Sequence, residues 1–341
     1  MSEPIIAEIS LNKLYSNALK VKGLLNKGVK FCAVVKSNAY GHGITEVAQK
    51  LYPICNAYAV SLASEAVALR FSGIDKPIIL LTPITENTVD SMVLKGITMT
   101  VNSLAELELI SKTSIKHKTK ALIHLAVNSG MNRLGIDTCS EIDKCIEYIA
   151  KNKYLILDGA MSHFGCIEDK NYTKSSFNNF VNLTKSVKRY NKNANLHISA
   201  SGGLLSENCY QLSMVRIGIL LYGYKPFESN VIDVEPIMKL KARKLLVKEG
   251  VLGKRLLYGG EISKENSISI LRLGYADGFN RTLNSDYASN LCMDISALNG
   301  KAEEDYVVVM ENAELTAKKW GTISYDVLTS TTTRAQRIYV E

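Results

Sequence analysis

Through about residue 225 the chain repeats one pattern: a short apolar run, then a longer stretch with i, i+3, i+4 periodicity. The runs are Phe31–Val35, Ala57–Ser61, Pro77–Leu81, Ile97–Val101, Ala121–Val127, Leu155–His163, Asn195–Ala200 and Val215–Tyr222. Leu11–Leu25, Glu65–Phe71 and Leu104–Ile110 are examples of the helical stretches. Consecutive apolar residues, rather than alternating ones, suit strands covered on both faces, as in a parallel sheet. Eight such runs, about 20 to 40 residues apart, predict an α/β fold of the (β/α)8 TIM-like barrel kind. A doubly wound open sheet would compete, but the Gly-x-Gly-x-x-Gly turn that marks its nucleotide-binding form is missing.

After about residue 230 the texture changes. Val231–Lys248, Ser267–Leu273 and Asp305–Met310 read as strands, and Glu249-Gly250, Gly259-Gly260 and Asn299-Gly300 read as turns. Helical periodicity is weak there. The expectation is a barrel over residues 1–228 and a smaller, mostly-β domain over 229–341 without a large core of its own, which suits a length of 341 residues.

Composition excludes several classes. No apolar run approaches the ~18–20 residues that span a bilayer, so no membrane association is expected. Met1-Ser2-Glu3-Pro4 opens no secretion signal, which predicts a cytoplasmic protein. Seven cysteines without a CxxC pair, and five scattered histidines, make a metal site unexpected. The net charge of +8 is spread along the chain. Its densest group, Lys239-Leu240-Lys241-Ala242-Arg243-Lys244, interleaves with apolar residues as a half-buried strand does, so no nucleic-acid partner is expected.

The chemistry concentrates in Ala33-Val34-Val35-Lys36-Ser37-Asn38-Ala39-Tyr40-Gly41-His42-Gly43. Lys36 directly follows the first run, at the C-terminal mouth of a barrel, where catalytic groups gather. An exposed lysine there is a solvated charge, whereas a desolvated one can form a Schiff base with an aldehyde cofactor.

This segment resembles the pyridoxal 5′-phosphate (PLP) lysine motif of the alanine racemase family, with one residue different. The resemblance continues in order through Gly130-Met131-Asn132-Arg133-Leu134-Gly135, Met161-Ser162-His163-Phe164 and Val215-Arg216-Ile217-Gly218-Ile219. In the second domain it takes in Gly274-Tyr275-Ala276-Asp277-Gly278-Phe279, Cys292-Met293-Asp294 and Ile323-Ser324-Tyr325. It implies an isomerase that interconverts L- and D-alanine, supplies D-alanine for peptidoglycan, and works as a homodimer with shared sites. Lys36 would hold PLP and act as one base, and Tyr275 of the partner subunit as the other. Racemisation needs proton-transfer groups on opposite sides of the α-carbon and an electron sink, which PLP provides. By the same resemblance, His163 and Arg216 would form a network that favours the phenolate, with Arg216 facing the pyridine nitrogen. Ser201, Gly218, Ile219, Tyr40 and Tyr325 would hold the phosphate; Arg133 and the Met293 backbone would hold the substrate carboxylate.

Two departures stand out. Where the family usually has a lysine, carbamylated in several members to orient the arginine, this chain has Ala126. Arg133 must then use Asn128, a bound anion such as chloride, or water. Between Gly278 and Met293 much of a family hairpin is missing, leaving Phe279–Cys292 with Asn284-Ser285-Asp286-Tyr287. These departures leave open a racemase for lysine, ornithine or serine. A non-catalytic PLP-binding regulatory protein would resemble only the barrel half. A decarboxylase of the same two-domain plan would carry an acid where Arg216 stands.

Overall fold

The computed structural model describes residues 5–207, 210–258, 260–282 and 287–341. Met1 to Pro4, Cys209, Gly259, and Asn284, Ser285 and Asp286 of the shortened segment lie outside the described residues. The first strand, β1 (Ile5–Ser10), is followed by eight parallel barrel strands. These are β2 (Lys30–Val34), β3 (Ala57–Val60), β4 (Ile78–Leu80), β5 (Thr98–Val101), β6 (Ala121–Ala126), β7 (Leu155–Met161), β8 (Asn195–His197) and β9 (Met214–Ile217). Their order is β8-β7-β6-β5-β4-β3-β2-β9. The ring closes where the Ser213 and Arg216 amides donate to Leu196 O and Ser199 O, each at 3.0 Å. The expected (β/α)8 barrel is therefore present.

Each barrel strand starts within a residue of its run, though β8 and β9 end before theirs do, because burial on both faces rewards consecutive apolar side chains. Residues of β3, β4 and β5 are buried at every position. Phe31, Tyr58 and Phe180 are among the largest fully buried side chains, each worth roughly 1.5–3 kcal/mol of burial. Helices start at polar caps: the Ser103, Thr138 and Asp169 side chains accept from the amides of Glu106, Glu141 and Tyr172.

The second sheet holds β10 (Met238–Glu249), β13 (Ser267–Leu271), β14 (Ser296–Asn299), β15 (Tyr306–Met310) and β16 (Gln336–Val340). A two-stranded ribbon, β11 (Arg255–Leu256) with β12 (Glu261–Ile262), lies between β10 and β13 in the chain. The sheet order is β14-β13-β10-β1-β16, with β15 also on β10. Thus β1 leaves the barrel's sequence neighbourhood and pairs antiparallel with β10 and parallel with β16. Leu240, Ala242, Leu271 and Met310 join the barrel's own core, and a smaller cluster forms around Val251, Ile268 and Ala297.

Three local expectations change. The run Val215–Tyr222 is strand only to Ile217; after Gly218 it becomes a 3-10 turn, Ile219–Tyr222. The run Val231–Lys248 becomes strand only at Met238, after Pro236, which has no amide to give to a ladder. Two helices, Ala313–Trp320 and Ser324–Ser330, lie in the second domain where periodicity is weak. They are only eight and seven residues long, too short for a strong 3.6-residue signal.

Candidate active site

At the C-terminal mouth of the barrel lies a cavity of about 520 Å³, within the range of small-molecule sites. Lys36, Tyr40, Arg133, His163, Ser201, Arg216, Gly218, Ile219 and Tyr325 all line it. Among the described residues, its lining contains no carboxylate. A cavity with two arginines, a lysine and no acid is built for an anion.

Lys36 follows β2 and Val35, so its position is set by the barrel itself. Burial lowers its pKa, and the nearby Arg133 and Arg216 charges lower it further, against an opposing pull from Glu65. The backbone beyond it is unusual. Ser37, Asn38, Ala39 and Tyr40 have φ of 53°, 53°, 55° and 52°, a left-handed turn of four non-glycine residues. Left-handed backbone costs roughly 1–2 kcal/mol per residue, so this turn needs strong external support. Tyr40 packs 4.8 Å from the Tyr222 ring and 5.9 Å from the Tyr325 ring. Burial raises the pKa of Tyr40, and that of Tyr325 to about 12, so both stay protonated donors at neutral pH.

Arg216 is 3% exposed, and its charge is held by neutral acceptors. Nη1 donates to His197 Nδ1 at 2.6 Å and His197 O at 3.1 Å. Nη2 donates to Ser162 O at 2.7 Å, Ile198 O at 3.2 Å and His163 Nδ1 at 3.3 Å. Burial lowers its pKa to about 10, which leaves it cationic at neutral pH.

Since guanidinium only donates, both histidine Nδ1 atoms must accept. Neutral His197 then carries its proton on Nε2 and donates to His124 Nδ1 at 2.8 Å. His124 in turn donates from Nε2 to Asp158 Oδ2 at 2.9 Å. One row of donors thus runs from Arg216 to a half-buried carboxylate. Burial, then the Arg216 charge, lowers the pKa of His163 to about 3 and that of His197 far below its ordinary value.

At the anion end, the Gly218 amide donates to Ser201 Oγ at 3.3 Å. A Cβ at Gly218 would lie 2.5 Å from Tyr40 Oη, so the backbone there stays open only for glycine. Ser201 also starts a short helix, Ser201–Leu205, whose first amides lack intrahelical partners.

Tyr275 and Met293 are not among the lining residues of this cavity. They are neighbours in the second domain, where the Tyr275 amide donates to Cys292 O at 3.1 Å and the Ala276 amide to Met293 O at 3.0 Å. Both are exposed, Tyr275 at 39% and Met293 at 56%. Arg334 fastens this corner: it donates twice to Asp294 Oδ1 at 3.0 Å and lies 3.3 Å from buried Asp277.

Asn128 does not serve Arg133 as a partner. Its amide donates to Asn132 Oδ1 and Asp137 Oδ1, and its carbonyl accepts from the Gly130 and Asn132 amides. It is spent on shaping its own loop.

His197, His124, Asp158 and Glu65 lie outside the motifs that the sequence offers. A signal existed for the first two: a histidine inside an apolar run, as in Ala121–Val127 and Asn195–Ala200, must find a hydrogen-bond partner when buried. Glu65 accepts from the Asn38 amide on Oε1 and from those of Ser61 and Leu62 on Oε2. Among the described residues, no group of three His, Cys, Asp or Glu side chains could hold a metal ion, and no helix is long and apolar enough to cross a membrane.

The fold and cavity define a class: a two-domain α/β-barrel protein with a desolvated strand-end lysine in a cationic mouth. Residues 9–226 match the family model for the alanine racemase N-terminal domain, and residues 237–339 that for the C-terminal domain. The chain belongs to the alanine racemase family. It is 32% identical to an alanine racemase of Clostridium tetani over 99% of this chain and 95% of that one. An alanine racemase of Methanococcus maripaludis is 31% identical over the full length of both. A solved alanine racemase of Clostridium difficile 630 superimposes with a TM-score of 0.93 at 30% identity, covering 100% of this chain and 97% of that one.

Proposed function

We propose that the chain is a PLP-dependent racemase that interconverts L- and D-alanine, an isomerase supplying D-alanine for peptidoglycan. The observation that carries this is Lys36, desolvated and flanked by Arg133 and Arg216 in a cavity lined without a carboxylate. Family membership over nearly the whole chain supports it.

The residues fit the cofactor. Lys36 would hold it; Ser201, Tyr40, Tyr325 and the backbone at Gly218 and Ile219 would hold its phosphate, with hydroxyls and amides as donors. Arg216 would face the pyridine nitrogen and, as a permanent cation, disfavour its protonation. When bound, PLP supplies an electron sink for the pair left behind as the α-proton departs.

The remaining work falls to the chain. Lys36, with its lowered pKa, offers a free amine as base at lower pH than an exposed lysine would. Neutral His163 accepts from Arg216 on Nδ1, so its Nε2 proton is free to donate to an incoming phenol and favour phenolate. That phenol is Tyr275 of a second copy, which makes the active unit a homodimer. Its exposure, away from its own chain's cavity, supports this assignment. Arg133 and the Met293 backbone would hold the substrate carboxylate. Cytoplasmic action belongs to the same proposal; among the described residues no helix is long and apolar enough to cross a membrane.

A broader racemase is the second reading, favoured by Ala126, which leaves a space of about 40 Å³ bordered by Asn102 and Arg133. One assay separates the two: purified protein with PLP, offered single-enantiomer alanine, serine, lysine and ornithine, with chiral chromatography of the products. PLP-dependent racemisation of alanine ahead of the others is expected. Preference for another amino acid selects the second reading, and no racemisation overturns both.

A further inference from the structure

The left-handed turn after Lys36 persists only if its polar groups, and those of the residues that close it, are met. Inside the turn, Ser37 O accepts from the Gly41 amide at 2.9 Å and Asn38 O from the Gly43 amide at 2.9 Å. Ala39 O and Tyr40 O face His42 Nδ1 at 2.9 and 3.0 Å, which puts the ring proton on that nitrogen. The carbonyls of Gly41 and His42 are met from the far end of the chain. Arg337 Nε donates to Gly41 O at 2.8 Å, and Tyr339 Oη to His42 O at 3.2 Å.

Both donors are themselves held. Arg337 also donates to Thr332 O at 3.2 Å, and the single Tyr339 hydroxyl proton is shared between His42 O and Glu46 Oε2, which lies 3.0 Å away. The approach is close because two glycines allow it. A Cβ at Gly41 would lie 2.1 Å from Thr332 Oγ1, and one at Gly43 1.9 Å from Tyr339 Oη.

We propose that Arg337 and Tyr339 are positioning residues for Lys36 and Tyr40: strand β16 clamps the left-handed turn and so builds its own subunit's cofactor site. The proposal rests on Lys36 and Tyr40 being the cofactor residues. It gives the second domain two separate duties. One corner, with Tyr275 and Met293, serves the partner, while β16 serves the cavity of its own chain.

The test uses the full-length protein with Tyr339→Phe, Arg337→Met and their combination, and with Val340→Thr as a control on the same strand. Two readouts are taken: amide hydrogen exchange over residues 37–43 in cofactor-free protein, and PLP affinity from the visible absorption of the lysine-bound cofactor. The double variant should exchange about tenfold faster in that segment and bind PLP about tenfold more weakly, with β3–β5 unaffected. Arg337→Lys should restore part of both, because an ammonium can still donate to Gly41 O. If the double variant does not fold, Tyr339→Phe alone carries the test, with a change of about threefold expected. Both readouts staying within about twofold of the parent and the control would overturn the proposal. Should the parent bind no PLP at Lys36, the assigned function falls, while the exchange data still decide the clamp.

Discussion

Arg216 shows how one buried charge dictates the protonation of everything near it. It donates to two histidines, so His163 and His197 are neutral with their protons on Nε2, and the His197 proton leads through His124 to Asp158. At this scale two outcomes are expected. Lys36→Ala should abolish the visible absorption of lysine-bound PLP, read by spectrophotometry after reconstitution, together with racemisation. Tyr275→Phe should keep that absorption yet cut racemisation by about 10²–10⁴-fold, the usual worth of a positioned acid–base group. The loss should fall on proton abstraction from one enantiomer, read as α-deuterium exchange of L- and D-alanine separately. Equal two-sided exchange in that variant would remove Tyr275 from the mechanism. Lys36, Tyr275 and Arg216 could be named from the chain alone because each sits in a local motif. The pairing of His124 with Asp158 could not, since it joins different strands and depends on the barrel's register.

Among elements, the turn from Ser37 to Gly43 is the costliest piece of backbone in the molecule's described part. Its glycines are there for space as well as for φ: Gly41 has φ of +84°, and a Cβ there would also meet Leu328 O at 2.5 Å. Backbone oxygen cannot swing aside as a side chain can. Gly41→Ala should therefore destabilise the protein by about 3–5 kcal/mol, seen as a lower urea midpoint with an unchanged slope. Strand positions were legible because burial of a run is a property of its own residues. The helices Ala313–Trp320 and Ser324–Ser330 were not, for they are short and take their stability from packing on each other and burying Ala313, Ala317, Val327 and Leu328 in the common core.

At the scale of the whole molecule, two buried neutral histidines, His42 and His197, together with half-buried His163 at the cavity wall, set the acid limit of stability. Burial lowers the pKa of His42 to about 4, and burial with the Arg216 charge lowers those of His163 and His197. The unfolded chain takes up these protons near the ordinary value of 6.5, whereas the folded chain does so only well below it. The unfolded state therefore binds more protons in between, and stability falls with pH from about 6.5 downward, by up to about 1.4 kcal/mol per pH unit for each histidine. The Tm of cofactor-free protein should drop between pH 7 and 5; a flat profile would contradict the burial of these groups. The proposed sharing of sites between two subunits makes a second demand. Mixing the inactive Lys36→Ala and Tyr275→Phe proteins under subunit exchange should restore part of the activity, because a hybrid dimer holds one site with both native bases. The amino-acid order alone determined the barrel, the identity of its mouth lysine and the family, since apolar runs and contiguous motifs are local properties. Tertiary structure alone decided that β1 crosses into the second sheet, that Tyr275 stands outside its own chain's cavity, and that Arg337 and Tyr339 reach back 296 and 297 residues to hold the turn beside Lys36. Those contacts follow from which surfaces the folded domains bring together, and no spacing along the chain encodes a hydrogen bond between its two ends.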